Sequence, residues 1–120
     1  EDPLQEEDIE GFKELKGDCM IVGDDLIATN LDRIRLAQEA INGVIIKPNQ
    51  IGSLLKAKSV VDFAKSKKMK IIVSHRSGET EDNVLAHLAV GWEADYIKTG
   101  IVGGERTSKL NELLRISENL

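Results

Sequence analysis

Four polar positions recur at nearly regular spacing along this chain: Asp24, Lys47, the His75-Arg76 pair and Lys98, separated by 23, 28 and 23 residues. Each lies just beyond a short apolar run, Ile21-Val22, Ile45-Ile46, Ile72-Val73 and Tyr96-Ile97 respectively. A carboxylate such as Asp24 binds a hard cation like Mg²⁺ through oxygen. Arg76 and Ser77 can grip a phosphate through charge-assisted hydrogen bonds. Ser77 is also read as opening the turn into a helix, whose first amides attract anions. Two lysines facing one site disfavour each other's charge, so one of them can act as a base. A hard cation, a phosphate grip and a lysine base together suit proton abstraction next to a carboxylate. The plainer alternative is that polar residues merely mark where buried strands leave the core.

The elements that must position these groups follow from the pattern. The runs "CMIVGDD", "GVIIKPN", "KIIVSHR" and "DYIKTG" are too short for helices and rich in Ile and Val, as buried strands are. Strands are expected at about residues 19–23, 43–47, 70–74 and 95–98. Helical periodicity fills the intervals. Leu31, Ile34, Ala37 and Ile41 share one face, with Asn30 or Asp32 as the cap. Leu54, Ala57, Val60, Val61 and Ala64 share another. A third helix runs through "ETEDNVLAHLAVGW", acids first and Gly91 last, as a helix dipole favours. The last should turn Leu110, Leu113, Leu114 and Ile116 inward. Before them lies an acidic lead-in with a short helix at Ile9 to Leu15. The order is βα repeated four times, which argues for α/β architecture with a parallel sheet and right-handed crossovers. Parallel strands would bring the four polar exits to one face, where α/β barrels and open sheets place their sites.

Composition narrows the class. The chain has 120 residues, 41% hydrophobic but only 3% aromatic, so its core must be aliphatic. Its net charge of −5 and the lack of a basic stripe argue against nucleic acid as a partner. No stretch reads as a signal peptide or a membrane span, so a soluble, cytoplasmic protein is expected. The single cysteine, Cys19, sits in an apolar run and reads as a reduced, buried thiol. The first residue is Glu1 rather than Met, which points to processing or truncation.

The motifs "VGDDL", "KPNQIGS", "SHRSGETEDN" and "IKTG", in this order and spacing, resemble the enolases, the phosphopyruvate hydratases of glycolysis. The opening "EDP" resembles them too, and the tail "KTGIVGGERTSKLNELLRI" is most similar to the archaeal branch. The resemblance covers essentially the whole chain. It implies the C-terminal part of a (β/α)8 (TIM) barrel, with residues 1–120 one segment and the N-terminal lid domain and early barrel strands absent. It implies Mg²⁺ as cofactor and 2-phosphoglycerate or phosphoenolpyruvate as the small-molecule substrate. Glu1 and Asp24 would be two of three metal carboxylates. Lys47 would be the base at C2, in keeping with the Lys or His base and Mg²⁺-stabilised ene-diolate of that superfamily. Lys98 would neutralise the substrate carboxylate, Arg76 and Ser77 would hold the phosphate, and His75 would line the same pocket. His87 stands where the family usually has an acid and reads as an ordinary helix residue.

Enolases are much longer than this chain. The third metal carboxylate and the glutamate assisting departure of hydroxide would lie in the missing part. The segment is therefore expected to be inactive alone, to bind Mg²⁺ weakly, and to self-associate through the open edges of an unclosed barrel. Two other readings stand beside this one. A sugar-acid dehydratase or racemase of the same superfamily would have no need of an Arg-Ser phosphate grip. A stand-alone half-barrel could retain these residues for a non-catalytic binding or structural role.

Overall fold

The computed structural model describes residues 1–15 and 17–120. It contains four parallel strands, β1 (Val22–Gly23), β2 (Gly43–Ile46), β3 (Lys70–Ser74) and β4 (Tyr96–Lys98), in the spatial order β1-β2-β3-β4. Helix α1 (Ile9–Leu15) precedes them, and α2 (Leu31–Ala37), α3 (Pro48–Ile51), α4 (Leu54–Ser66), α5 (Val84–Gly91) and α6 (Gly104–Ser117) follow in turn. The α/β class, the parallel pairing and the βα alternation are those read from the sequence.

β1, β2 and all of β3 but Lys70 are buried on both faces, which explains their unbroken apolar runs, whereas β4, at the edge, is largely exposed. Val44, Ile46, Ile71 and Val73 join the helix-side core with Ile34, Ala57, Val60, Val61 and Phe12. Val22, Ile45 and Ile72, one residue out of phase, form a second, smaller cluster on the opposite face. That alternation is the period of two that a pleated strand imposes. Polar side chains fix where strands begin. The Asn42 carboxamide oxygen accepts the Ile21 amide at 2.7 Å, and the Asp95 carboxylate accepts the Ile71 amide at 2.9 Å. Two helix starts carry side-chain caps: Asn30, one of the two expected candidates, accepts the amides of Asp32 and Arg33, and Ser53 accepts that of Lys56.

Three expectations are corrected. Cys19 is exposed, because the chain enters the sheet only at Ile21 and the pairing starts at Val22. Leu54 is exposed in the first turn of α4, ahead of the stretch that reaches the sheet. In α6 the buried side chains are Lys109 and Glu112, whereas Leu114 is 64% exposed. This last helix packs chiefly on α5, and the contact is polar. Glu112 accepts from Asn83 and Arg115 and pairs with His87 at 2.8 Å, which gives His87 a role in docking the helix. Lys109 donates to the carbonyls of Thr80 and Glu105.

Candidate active site

The inner face of the sheet positions the chemistry. Ile45, Ile72 and Tyr96 are in register across β2, β3 and β4, and Ser74 is in register with Lys98. Two residues beyond Ile45, Lys47 falls on the same side of the pleat as Lys98. Asp24 follows β1 directly, two residues beyond the inward-facing Val22. Strand exits thus bring an acid and two lysines to one end of one face.

These groups pair with one another. Lys47 Nζ lies 2.7 Å from Asp24 Oδ2, with side chains only 15% and 7% exposed. Lys98 Nζ lies 2.6 Å from Glu1 Oε2 in a more open setting. Burial pushes the Asp24 carboxyl above its ordinary value; Lys47 opposes that shift and Glu1 adds to it. The Glu1 carboxyl is lowered, chiefly by its hydrogen bond from Lys98. Asp24 Oδ1 is buried and accepts no hydrogen bond. Such an atom, beside a second carboxylate, fits a hard cation, which takes oxygen ligands. Among the described residues no group of three or more His, Cys, Asp or Glu converges as a metal cluster. Glu1 and Asp24 together make a partial donor set.

The backbone around Lys47 is held by Thr29, fully buried, whose hydroxyl accepts the Lys47 amide at 2.9 Å and donates to Gln50 Oε1 at 3.2 Å. Thr29 and Ala28 both adopt positive φ (49° and 45°), the turn that brings the loop after Asp24 back beneath Lys47.

The residues expected to meet an anion line an adjoining cavity. His75, Arg76, Ser77, Gly78, Glu79, Glu105 and Arg106 line a cavity of about 100 Å³. Its link to the lysines is through the backbone: the His75 amide donates to the Lys98 carbonyl at 3.2 Å. His75 Nδ1 is buried without a partner, and burial, followed by the nearby Arg106, lowers the proton affinity of the ring. A neutral imidazole is the form that lines an anion pocket without ion pairing. Ser77 is not at a helix start. Helix α5 begins at Val84, and the intervening residues form a turn through Gly78 at φ 73°. Any anion here is met by Arg76, Arg106 and the Ser77 hydroxyl, without help from a helix dipole. A larger cavity, about 440 Å³, lies between the starts of α4 and α5, with Pro48, Ser74, Glu79 and Lys109 in its wall.

The sequence pattern did not single out Asp2, Thr29 or Arg106. Asp2 and Thr29 act on backbone amides, which leave no pairing signature in the residue types. Arg106 lies a helix away from the His75-Arg76 motif in sequence and meets it only through the fold.

Comparison with known proteins agrees with this geometry. The family model for the enolase C-terminal TIM barrel domain matches residues 1–120. The chain is 56% identical to the enolase of Pyrobaculum aerophilum over 125 residues, covering 100% of this chain and 30% of that protein. It is 56% identical to the enolase of Archaeoglobus fulgidus, covering 98% of this chain and 31% of that protein. It is 51% identical to the enolase of Haloarcula marismortui, covering 99% and 31% respectively. The chain thus spans less than a third of the length of these relatives. With the family model matching residues 1–120 and four parallel strands alternating with helices, the chain belongs to the enolase family, within its C-terminal TIM barrel domain.

Proposed function

We propose that this chain carries the base and phosphate-binding part of an Mg²⁺-dependent phosphopyruvate hydratase, which interconverts 2-phosphoglycerate and phosphoenolpyruvate. The observation that carries the proposal is the Lys47–Asp24 pair: a poorly solvated ammonium held 2.7 Å from a carboxylate whose other oxygen has no partner. Glu1 and Asp24 would hold the metal, which when bound would supply positive charge to offset the charge that develops on the substrate carboxylate. Lys47 Nζ takes the proton from C2 as the neutral amine, after the ammonium that pairs with Asp24 here has given a proton to solvent. Lys98, in register on the same face, offers its ammonium to the carboxylate. Arg76 and Ser77 fix the phosphate at the far side of the substrate, and that grip orients C2 toward Lys47. His75 closes the wall between the two.

On this reading the third metal carboxylate and the group that protonates the leaving hydroxide lie outside these 120 residues, and the segment alone does not turn over. The inner face supports self-association of an isolated segment. Val22, Ile45 and Ile72, themselves at most 8% exposed, floor a cavity of about 300 Å³, and the exposed apolar surface at its border is Met20 and Tyr96. A cytoplasmic site of action fits a glycolytic role; among the described residues no helix is long and apolar enough to cross a membrane.

A second reading, a half-barrel with a non-catalytic binding role, is favoured by the convergence of only two carboxylates. Isotope exchange separates the two. The protein at its full natural length, with Mg²⁺ in D₂O, should exchange the C2 proton of 2-phosphoglycerate, and Lys47→Ala should abolish exchange with the fold intact by circular dichroism. Near-normal exchange in the variant removes Lys47 from the base role. No exchange in the wild type leaves the non-catalytic reading.

A further inference from the structure

We propose that Asp2 is a positioning residue that sets the spacing of the two metal carboxylates. The inference rests on the reading of Glu1 and Asp24 as ligands. Asp2 Oδ1 accepts the amide of Asp24 at 2.9 Å, and its Oδ2 accepts the amide of Asp25 at 2.7 Å. Its own amide donates to the Val22 carbonyl at 3.0 Å, so the segment bearing Glu1 lies along the outer edge of β1. Three hydrogen bonds from one residue therefore tie the residue after Glu1 to the strand and loop that carry Asp24.

The geometry is specific. A carboxylate spanning two successive amides needs both oxygens as acceptors, and its charge strengthens both bonds. Asp2 takes a φ of 35°, a conformation that L residues rarely adopt and that Asp tolerates better than most. That turn lets one residue close the strand edge through its backbone while its side chain reaches forward to the loop. Closing the strand edge would require only the Asp2 backbone. The side chain adds a fixed relation between Glu1 and Asp24, each already held from the other side by its own lysine, Lys98 and Lys47. Hydrogen bonds that orient ligands from behind set metal affinity, and their loss weakens it about 10–100-fold.

Mg²⁺ titration calorimetry on the protein at its full natural length tests this. Asp2→Asn retains one acceptor and sets an amide NH₂ against the other backbone N–H. It should weaken Mg²⁺ binding about tenfold or more. Turnover at saturating Mg²⁺ should fall far less than affinity does. Asp2→Glu retains the charge but displaces both oxygens by a methylene, and should also lose affinity. A folded Asp2→Asn that binds Mg²⁺ as tightly as wild type overturns the proposal, whether or not its melting temperature falls. If Asp2→Asn does not fold, the same comparison is made on Asp2→Glu, where wild-type affinity overturns it equally. A wild-type protein that binds no Mg²⁺ overturns the metal reading itself, and the inference with it.

Discussion

Replacing Lys47 with methionine removes one charge and little volume. Lys47 and Asp24 are 15% and 7% exposed at the side chain, so both ions are largely withdrawn from water. Removing one partner of a buried pair costs about 3–5 kcal/mol, because the other charge is left uncompensated. Asp24 is poorly placed to absorb that loss: Oδ1 has no partner, and Oδ2 would lose the Lys47 ammonium. A residual exposure at Lys47 favours the lower end, about 3 kcal/mol at pH 7 without metal. Protonation offers an escape. Burial already raises the Asp24 carboxyl, so the folded state favours the neutral form more than the unfolded chain does. The penalty is therefore present in full above the carboxyl's raised folded pKa and fades as pH falls through it toward the ordinary 3.8, by at most about 1.4 kcal/mol per pH unit. Mg²⁺ should reduce the penalty at constant pH by supplying another cation. Urea unfolding of wild type and Lys47→Met at pH 7 and pH 5, with chelator or with Mg²⁺, reads all three effects. A loss below about 1 kcal/mol in chelator at pH 7, the range of a solvent-exposed pair, would refute the desolvated ion pair. So would a gap that stays constant as pH falls.

Two further outcomes are expected. Lys109→Met should destabilise by about 1–3 kcal/mol in chemical denaturation, because the carbonyls of Thr80 and Glu105 lose a buried donor. The Glu112 carboxyl is held below its ordinary 4.5 by the Arg115 hydrogen bond, against burial and with His87 helping. The stability it contributes is thus present above that value and lost as pH falls through the lower folded one. Thermal melts between pH 7 and pH 3 should show that loss in wild type and not in Glu112→Gln.

The sheet was legible in the sequence because both of its faces are apolar and its strands are short. Residues 70–74 were read as a strand and form β3 with those limits. Cys19 and Met20 misled because an apolar run does not mark the residue at which pairing begins. The four-residue helix α3 was not foreseen. Pro48, read as the end of a strand run, is its first residue, a position where the missing amide is no loss. Helix α6 defeated the apolar periodicity in part: Leu110, Leu113 and Ile116 are half-buried, Leu114 is exposed, and the fully buried side chains are Lys109 and Glu112. At the site, residue types and spacing placed Asp24, Lys47, His75, Arg76 and Lys98 on one face, whereas the structure gathers Asp24, Lys47 and Lys98 there and sets His75 and Arg76 in an adjoining cavity. They could not reveal that each lysine is already paired with a carboxylate, because that depends on register and side-chain reach. Nor could they reveal Asp2, whose acceptors serve main-chain amides.

The order in which the strands lie has a kinetic meaning. Neighbours in the sheet are neighbours in the chain, so each pairing closes a loop of modest length; Lys47 and Asp24 are separated by 23 residues. The Lys98–Glu1 contact spans 97 residues. By loop-closure entropy alone it carries an extra penalty of about 1.3 kcal/mol relative to the shorter closure. The sheet and its helices are thus expected to assemble first, with the two ends of the segment joining afterwards. Amide protection during refolding should then precede recovery of Mg²⁺ affinity, and the reverse order would contradict the scheme. A nascent chain would pass through a state that is structurally ordered and chemically silent, in which Glu1 is already held beside β1 through the Asp2 bonds while its contact with Lys98 has yet to close.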